Sequence, residues 1–318
     1  MFISIILIII GFVLLIKGAD WLVSGASALA KKYKVSDLAI GLTIVAFGTS
    51  APELVVNSVA SIHGHSDIIF GNVIGSNIFN LFMILGIVGL ILPISVQSST
   101  VWKEIPISFL AIIVMYFLSN ELLYQENNFL TRYDGLLLLV LFGAFLFYIY
   151  KQMKTDKVEI DSTNKQLTNL QIWSLIIGGL SGLIIGGKLV VDYAIDVATT
   201  LGVSEKIIGL TIIAMGTSLP ELVTSVVATF KKNSDIAIGN IIGSNIFNIF
   251  LILSVSSFIN PIVYNTAFNV EVYFLAGGTI FLFIAMFTGI KRKLDRWESA
   301  LLLSAFIIYT SYLIFQEI

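Results

Sequence analysis

The chain has 318 residues and a net charge of −2, with 57% hydrophobic and only 12% charged residues, whereas a soluble domain is about one quarter charged. This composition excludes a soluble globular core and a basic surface for nucleic acid. The chain has no cysteine, which excludes disulfides, thiolate metal sites and a cysteine nucleophile.

Apolar runs separated by polar breaks predict about ten transmembrane helices, because a bilayer core needs about 20 mostly apolar residues per helix. The first run has no basic residues ahead of it, so we expect it to stay in the protein rather than to be cleaved as a signal peptide. The predicted spans are 3–30, 38–62, 68–92, 104–120, 133–150, 172–197, 207–230, 236–259, 271–290 and 297–315.

The basic residues predict how these spans are oriented. Fourteen of the 18 lysines and arginines fall in loops on one side, against only Arg132 and Lys206 in loops on the other. Because basic loops stay in the cytoplasm, both termini are predicted to lie outside and the polar linker 151–171 inside. Lys17 and Asp20, and likewise Lys188 and Asp192, lie within helices at spacings that allow intrahelical ion pairs. We interpret these four as structural or snorkelling residues.

Two segments of the chain repeat each other at an offset of 168 residues without a gap. Residues 41–80 and 209–248 are identical at 26 of 40 positions. The second copy begins five helices after the first, and because five is odd the two copies cross the membrane in opposite directions. The sequence therefore predicts an all-α membrane protein with two inverted five-helix repeats, 1–150 and 172–318, joined by the linker.

The repeated motif carries a glutamate deep inside an apolar helix. Glu53 follows Thr49 and Ser50 at helical spacing, so the three side chains share one face. Pro52 cannot donate a hydrogen bond to Gly48, so the helix is expected to loosen around 46–49 and free carbonyl oxygens. A buried carboxylate is costly unless it faces a cavity or a cation. The second copy repeats this arrangement with Gly216, Thr217, Ser218, Pro220 and Glu221.

The helix that follows each motif carries a polar stripe. Ser66 and Ser234 are predicted to cap these helices at their N-termini. The stripes are Asn72, Ser76 and Asn80 in the first copy and Asn240, Ser244 and Asn248 in the second. Helix packing explains Asn72 and Asn77 as well as ligation does, whereas Ser76 and Asn80 are better explained as ligands.

All these candidate ligands are oxygens, which favours hard cations over zinc or copper. Magnesium sheds its water reluctantly, so calcium and sodium are the expected ions. Two carboxylates neutralise one calcium ion, and several sodium ions in its place would leave a small positive surplus. The transported partners are therefore calcium and sodium ions, in a lipid membrane and with no cofactor.

The motifs 48–53 with 75–80, and 216–221 with 243–248, resemble the α-repeats of the calcium/cation antiporter superfamily, in particular its prokaryotic sodium/calcium exchanger branch. This resemblance spans the whole ten-helix layout. It implies a site at the middle of the membrane, with Glu53 and Glu221 as the metal ligands. The other implied ligands are the hydroxyls of Thr49, Ser50, Ser76, Thr217, Ser218 and Ser244, the carbonyls of Ala46 and Ala214, and the amides of Asn80 and Asn248.

The sequence departs from some relatives, which have an aspartate where this chain has Asn80 or Asn248. That acid is associated with potassium dependence or with an extra ion site, so potassium co-transport is not expected here. The short linker also lacks the large calcium-sensing domains of animal exchangers.

Three other functions are alternatives to sodium/calcium exchange. Calcium/proton antiport by the same superfamily remains the main alternative to sodium coupling. A cation channel is disfavoured, because channels usually repeat their filter around an axis along the membrane normal. An enzyme is disfavoured by the absence of a zinc-binding HExxH motif, a Ser–Lys or Ser–His pair, and paired intramembrane aspartates.

Overall fold

A computed structural model describes residues 2–120, 128–155, 167–201, 214–289 and 291–317. Within these ranges the chain is almost entirely helical. We number its helices α1 (Phe2–Tyr33), α2 (Asp37–Thr49), α3 (Ala51–Ile62), α4 (Ser66–Ile91), α5 (Thr100–Ser119), α6 (Arg132–Thr155), α7 (Asn169–Thr200), α8 (Ala214–Gly216), α9 (Leu219–Phe230), α10 (Ser234–Ile259), α11 (Thr266–Ala285) and α12 (Arg296–Glu317).

Seven of the described helices are long and apolar enough to cross a membrane, namely α1, α4, α5, α6, α7, α10 and α11. The bent pair α2–α3 would make an eighth span. The predicted all-helical membrane fold is confirmed, while the count of ten spans stays a prediction. Residues 207–213 of the predicted seventh span lie outside the described residues, as do the linker lysines Lys157 and Lys165 and the loop residue Lys206.

The helices of the two halves correspond in order, α1 to α7, α2 to α8, and so on to α6 and α12. Two short antiparallel ribbons join the halves: β1 (Ile94–Ser95) pairs with β4 (Lys293–Leu294), and β2 (Phe129–Leu130) pairs with β3 (Ile262–Val263). Each ribbon takes one strand from each half, so the two repeats interlock.

The polar-striped helices form the centre of the bundle. In α10, 94% of the most apolar stretch is buried, and in α4 the share is 72%, against 28% to 39% for the other spanning helices. Small glycine and serine side chains allow this close packing. A Cβ at Gly239, for example, would lie only 2.9 Å from the Leu38 carbonyl oxygen of α2. The residues predicted to bind ions therefore lie at the protein's core.

The two longest helices, α1 and α7, pack against each other along much of their length. A Cβ at Gly18 would lie 2.7 Å from the Gly179 carbonyl oxygen, and one at Gly186 would lie 2.7 Å from the Gly11 carbonyl oxygen. Any larger side chain at these positions would push the helices apart.

α4 and α10 begin two residues before the predicted spans, at Ser66 and Ser234. Both helices begin at the predicted serine, so the capping positions are His65 and Asn233. The Asn233 side chain accepts a hydrogen bond from the Ile236 N–H at 3.1 Å. An asparagine side chain caps a helix as well as serine does.

Candidate cation site

Each motif breaks its helix close to the middle of the bundle. The axes of α2 and α3 differ by 46°, and the break falls at Ser50. The predicted distortion lies just after residues 46–49, which themselves stay α-helical, with the Ser50 N–H bonded to the Ala46 carbonyl at 3.0 Å. A π-helical stretch, Gly41–Val45, precedes them. In the second copy α8 ends at Gly216 and α9 begins at Leu219.

The break turns the Ser50 hydroxyl toward the opposite repeat. Ser50 Oγ donates to Glu221 Oε1 at 2.9 Å and lies 3.0 Å from Ser244 Oγ. Ser244 Oγ is itself 3.4 Å from Glu221 Oε1. The glutamate of the second motif is therefore held by hydroxyls from both halves.

The same arrangement occurs around the glutamate of the first motif. Ser218 Oγ donates to Glu53 Oε1 at 3.1 Å and lies 3.0 Å from Ser76 Oγ. Each motif thus contributes a serine to the other motif's glutamate. The structure brings all six of these predicted residues together in one buried cluster.

Four buried oxygen atoms of the predicted ligands have no hydrogen-bond partner: Glu53 Oε2, Glu221 Oε2, Asn80 Oδ1 and Asn248 Oδ1. Each of the four side chains is only 1% exposed. A buried acceptor without a partner is destabilising by about 1–3 kcal/mol, and by more when it is charged.

The two site asparagines are oriented by asparagines of the opposite repeat. Asn80 Nδ2 donates to Asn245 Oδ1 at 3.0 Å, and Asn248 Nδ2 donates to Asn77 Oδ1 at 3.1 Å. These bonds use the NH2 groups and leave each Oδ1 unpartnered. The sequence leaves packing and ligation equally open for Asn77, and it does not single out Asn245. Their equivalent places in the two copies were the signal that could have identified them.

The threonine hydroxyls face amide groups. Thr49 Oγ1 lies 2.9 Å from Asn240 Oδ1 and 3.1 Å from the Val45 carbonyl oxygen. Thr217 Oγ1 accepts from Asn72 Nδ2 at 3.2 Å. Each threonine therefore connects its motif to the polar stripe of the other repeat.

The predicted carbonyl ligands lie next to these threonines. The Ala46 carbonyl accepts the Ser50 N–H and also lies 3.3 Å from Thr49 Oγ1. Ala214 is the first described residue after the undescribed stretch 202–213, at the start of α8.

Two residues one turn beyond the glutamates also belong to this network and were missed. Asn57 Nδ2 donates to the Glu53 carbonyl and to Asn72 Oδ1, both at 2.7 Å. At the equivalent place, Ser225 Oγ accepts from Asn240 Nδ2 at 3.0 Å. A polar residue four positions after each glutamate was the available signal.

A cavity of about 470 Å³ lies beside the site, between α3, α7 and the start of α9. It is lined by Ala51, Pro52, Val55, Val56, Ile184, Gly187, Lys188, Val191, Asp192, Gly216, Thr217 and Pro220. Lys188 and Asp192 are its charged lining residues, and Thr217 and both motif prolines connect it to the site.

Asp20 pairs with a different residue from the one expected. Among the described residues its ion pair is with Lys231, at 2.7 Å between Oδ1 and Nζ, so a pair with Lys17 is wrong. Lys231 lies at the end of α9 and so joins α1 to the core of the bundle.

The comparisons with known proteins agree with this geometry. The sequence model of the family described as "Sodium/calcium exchanger protein" matches residues 3–151 and 171–315. The "Putative antiporter CaxA" of Alkalimonas amylolytica is 38% identical, with all of both chains covered. The "Sodium/calcium exchanger MaX1" of Methanosarcina acetivorans is 30% identical, covering 96% of this chain and 97% of that protein.

A solved structure is also similar over the whole chain. The sodium-calcium exchanger NCX_Mj, soaked with Na⁺ and Sr²⁺, matches with a TM-score of 0.83 and 32% identity. The match covers 98% of each chain.

Proposed function

Because the chain belongs to the sodium/calcium exchanger family, a family of membrane cation antiporters, we propose that it exchanges calcium for sodium across the membrane. The exchange takes place at the buried cluster around Glu53 and Glu221. The site opens to one side of the membrane at a time, as in other transporters built from inverted repeats.

The observation that carries this proposal is the set of four unpartnered buried oxygens on Glu53, Glu221, Asn80 and Asn248. Calcium binds six to eight oxygens from carboxylates, amides and carbonyls. The hydroxyls of Ser50, Ser218, Ser76 and Ser244 lie within hydrogen-bonding distance of the carboxylates or of one another. A cation at the centre would take these oxygens as ligands.

The threonines and alanines are proposed to complete the site. Thr49 and Thr217 stand next to the serines at each break, so a small rotation of either hydroxyl would turn it toward the glutamates. The carbonyls of Ala46 and Ala214 occupy equivalent places in the two motifs. Because these two residues begin the helical turn before each break, they are proposed as backbone ligands.

The charge of the site favours unequal exchange. Two carboxylates neutralise one calcium ion, and no third acid joins them, since among the described residues no group of three or more His, Cys, Asp or Glu side chains could hold a metal. Sodium ions can occupy the same oxygens once calcium leaves. If more than two sodium ions replace one calcium ion, the exchange moves net positive charge with sodium.

The membrane orientation is proposed from the distribution of basic residues. Lys31 and Lys32 end α1, and Lys231 ends α9, so these ends are assigned to the cytoplasm. The α3–α4 loop with His63 then faces outside. The cavity wall includes Val55 and Val56, which lie between Glu53 and His63 along α3, so the cavity would admit ions from outside.

The test is calcium flux into proteoliposomes that contain the purified chain, with sodium, proton and potassium gradients imposed separately. We expect calcium uptake to follow an outward sodium gradient and to be unaffected by potassium. Uptake driven by a proton gradient without sodium would assign the chain to calcium/proton antiport instead. Uptake that continues without any counter-gradient and saturates like a pore would contradict antiport.

A further inference from the structure

The repeat extends beyond the motifs to the two long helices. The offset of 168 places Gly11 with Gly179 and Gly18 with Gly186, and the structure makes their contacts reciprocal. A Cβ at Gly18 would lie 2.7 Å from the Gly179 carbonyl oxygen, and at the equivalent place a Cβ at Gly186 would lie 2.7 Å from the Gly11 carbonyl oxygen. The offset of 168 therefore relates α1 to α7 as it relates α3 to α9.

The two halves nevertheless differ at one pair of interfaces. On one side α1 packs against α9, and Lys231 Nζ lies 2.7 Å from both Asp20 Oδ1 and Ser24 Oγ. The equivalent helices on the other side, α7 and α3, are separated by the cavity. The described structure is therefore closed at the α1–α9 interface and open at the α7–α3 interface.

The offset of 168 shows which residues of the open α7–α3 interface correspond to the residues that close the α1–α9 interface. His63 occupies the position of Lys231, and each residue caps the C-terminus of its helix. Lys188 occupies the position of Asp20, and Asp192 that of Ser24. Both Lys188 and Asp192 line the cavity that separates α7 from α3.

We propose that His63 and Asp192 form a latch that closes the cavity side of the site, as Lys231 and Asp20 close the opposite side in the present structure. This inference rests on the proposed function, because it requires the two repeats to exchange conformations during transport. The acid of the second repeat stands one helical turn later than the acid of the first: Asp192 occupies the position of Ser24, and Lys188 occupies the position of Asp20. Lys231 Nζ reaches both of these positions at once, so a residue at the end of α3 can reach Asp192.

The two latches differ in strength. Lys231 presents a full charge on a long side chain to Asp20, whereas His63 presents an imidazole N–H on a shorter one. Lys188 also stands one turn from Asp192 and competes for its carboxylate. The Lys231 latch is therefore the stronger, in agreement with a structure in which it is closed and the cavity is open.

Paired cysteines test the latch directly, because the chain has no cysteine of its own. The pairs are Asp20→Cys with Lys231→Cys, and His63→Cys with Asp192→Cys. Both pairs straddle the central linker, so a protease site inserted there reports a cross-link as two halves that stay joined on a non-reducing gel. The control pair is His63→Cys with Leu189→Cys, because the equivalent of Leu189 on α1 is Trp21, whose ring lies over Gly178 of α7.

We expect a short reducible bis-methanethiosulfonate reagent to join both latch pairs in vesicles that are exchanging ions, and to join the control pair at least fivefold less. Each cross-link should stop calcium flux, and reductant should restore it, which shows that the protein is still folded. Failure of the 63–192 pair to cross-link in vesicles with intact exchange would overturn the latch, as would a cross-link that leaves flux unchanged. If both pairs cross-link but the protein shows no sodium-driven calcium flux before the reagent is added, the latch is supported and the proposed ion pair is refuted.

A second measurement requires no cross-link. His63→Lys should strengthen the latch on the cavity side and slow the labelling of Val55→Cys, in the cavity wall, by a membrane-impermeant thiol reagent. Adding Asp192→Asn should restore the rate. Labelling that is equally fast in all three backgrounds would overturn the proposal.

Discussion

Replacing either site glutamate by glutamine removes one of the two charges that face the cation and leaves the side-chain shape almost unchanged. Glu221 Oε1 accepts from the Ser50 hydroxyl, and its Oε2 is unpartnered. In Glu221→Gln an amide oxygen can still accept from Ser50. The other position becomes an NH2 group, which cannot bind a cation.

The expected loss is larger for calcium than for sodium. At an effective dielectric constant of about 20 and a separation of about 4 Å, one charge contributes about 4 kcal/mol against a monovalent ion and about 8 kcal/mol against a divalent ion. Desolvation of the carboxylate offsets part of this. We expect a net loss in apparent calcium affinity of at least about 100-fold, or about 2.7 kcal/mol, with a smaller loss for sodium.

The assay is sodium-driven calcium uptake into proteoliposomes, with binding of both ions to the detergent-solubilised protein measured calorimetrically. Glu53→Gln and Glu221→Gln should behave alike, because each glutamate has an equivalent serine partner in the other repeat. The matched control is Glu104→Gln. Glu104 is also fully buried, but it accepts from Tyr148, away from the site.

Two results would refute this reasoning. Wild-type uptake in either site variant would show that the glutamates hold the helices together and do not bind ions. Equal loss in the Glu104→Gln control would show that any missing buried charge impairs the protein. A loss confined to the two site variants, and larger for calcium, is the expected result.

Three further predictions test the charge, the packing and the coupling. Asn248→Asp adds a third carboxyl group among the unpartnered oxygens, so sodium competition with calcium uptake should change while the amount of protein in the membrane does not. Gly18→Ala, with its Cβ 2.7 Å from the Gly179 carbonyl oxygen, should lower the thermal stability in detergent by about 1–3 kcal/mol, whereas Gly143→Ala, with no neighbour within 4 Å, should not. Sodium should compete with calcium with a Hill slope above one. An inside-positive potential should raise calcium uptake against sodium exit, since each net charge moved is worth about 2.3 kcal/mol per 100 mV. Insensitivity to potential would indicate electroneutral exchange.

Much of the fold and most of the candidate site could be predicted from the sequence, because two constraints act locally. The apolar spans follow from the thickness of the bilayer, and the repeat identifies the same polar residues twice. Ser50 and Glu221 are 171 residues apart in the chain, yet the parity of the repeat was enough to predict that the two motifs meet. The structure adds that each serine serves the other motif's glutamate.

The remaining features depend on tertiary contacts that periodicity does not report. Asn77 resembles a packing residue by spacing, and only the contact with Asn248 shows that it orients a site amide. Asp20 has a lysine three residues before it, but its partner is Lys231, 211 residues away. Local spacing favoured the nearer lysine, and the packing of α1 on α9 determined the pair.

The departures from symmetry in this chain are as informative as its symmetry. The predicted ligand residues are the same in both repeats, so the cluster around Glu53 and Glu221 is nearly unchanged when the halves are exchanged. Pairs at the ends of α3 and α9 and on the long helices differ in charge: His63 corresponds to Lys231, and Asp192 corresponds to Ser24. A symmetric site binds the same ions from either side, whereas unequal residues at its two entrances set which side is open at rest. Exchanging His63 and Lys231 should therefore change the resting state while leaving the ion preference as it is.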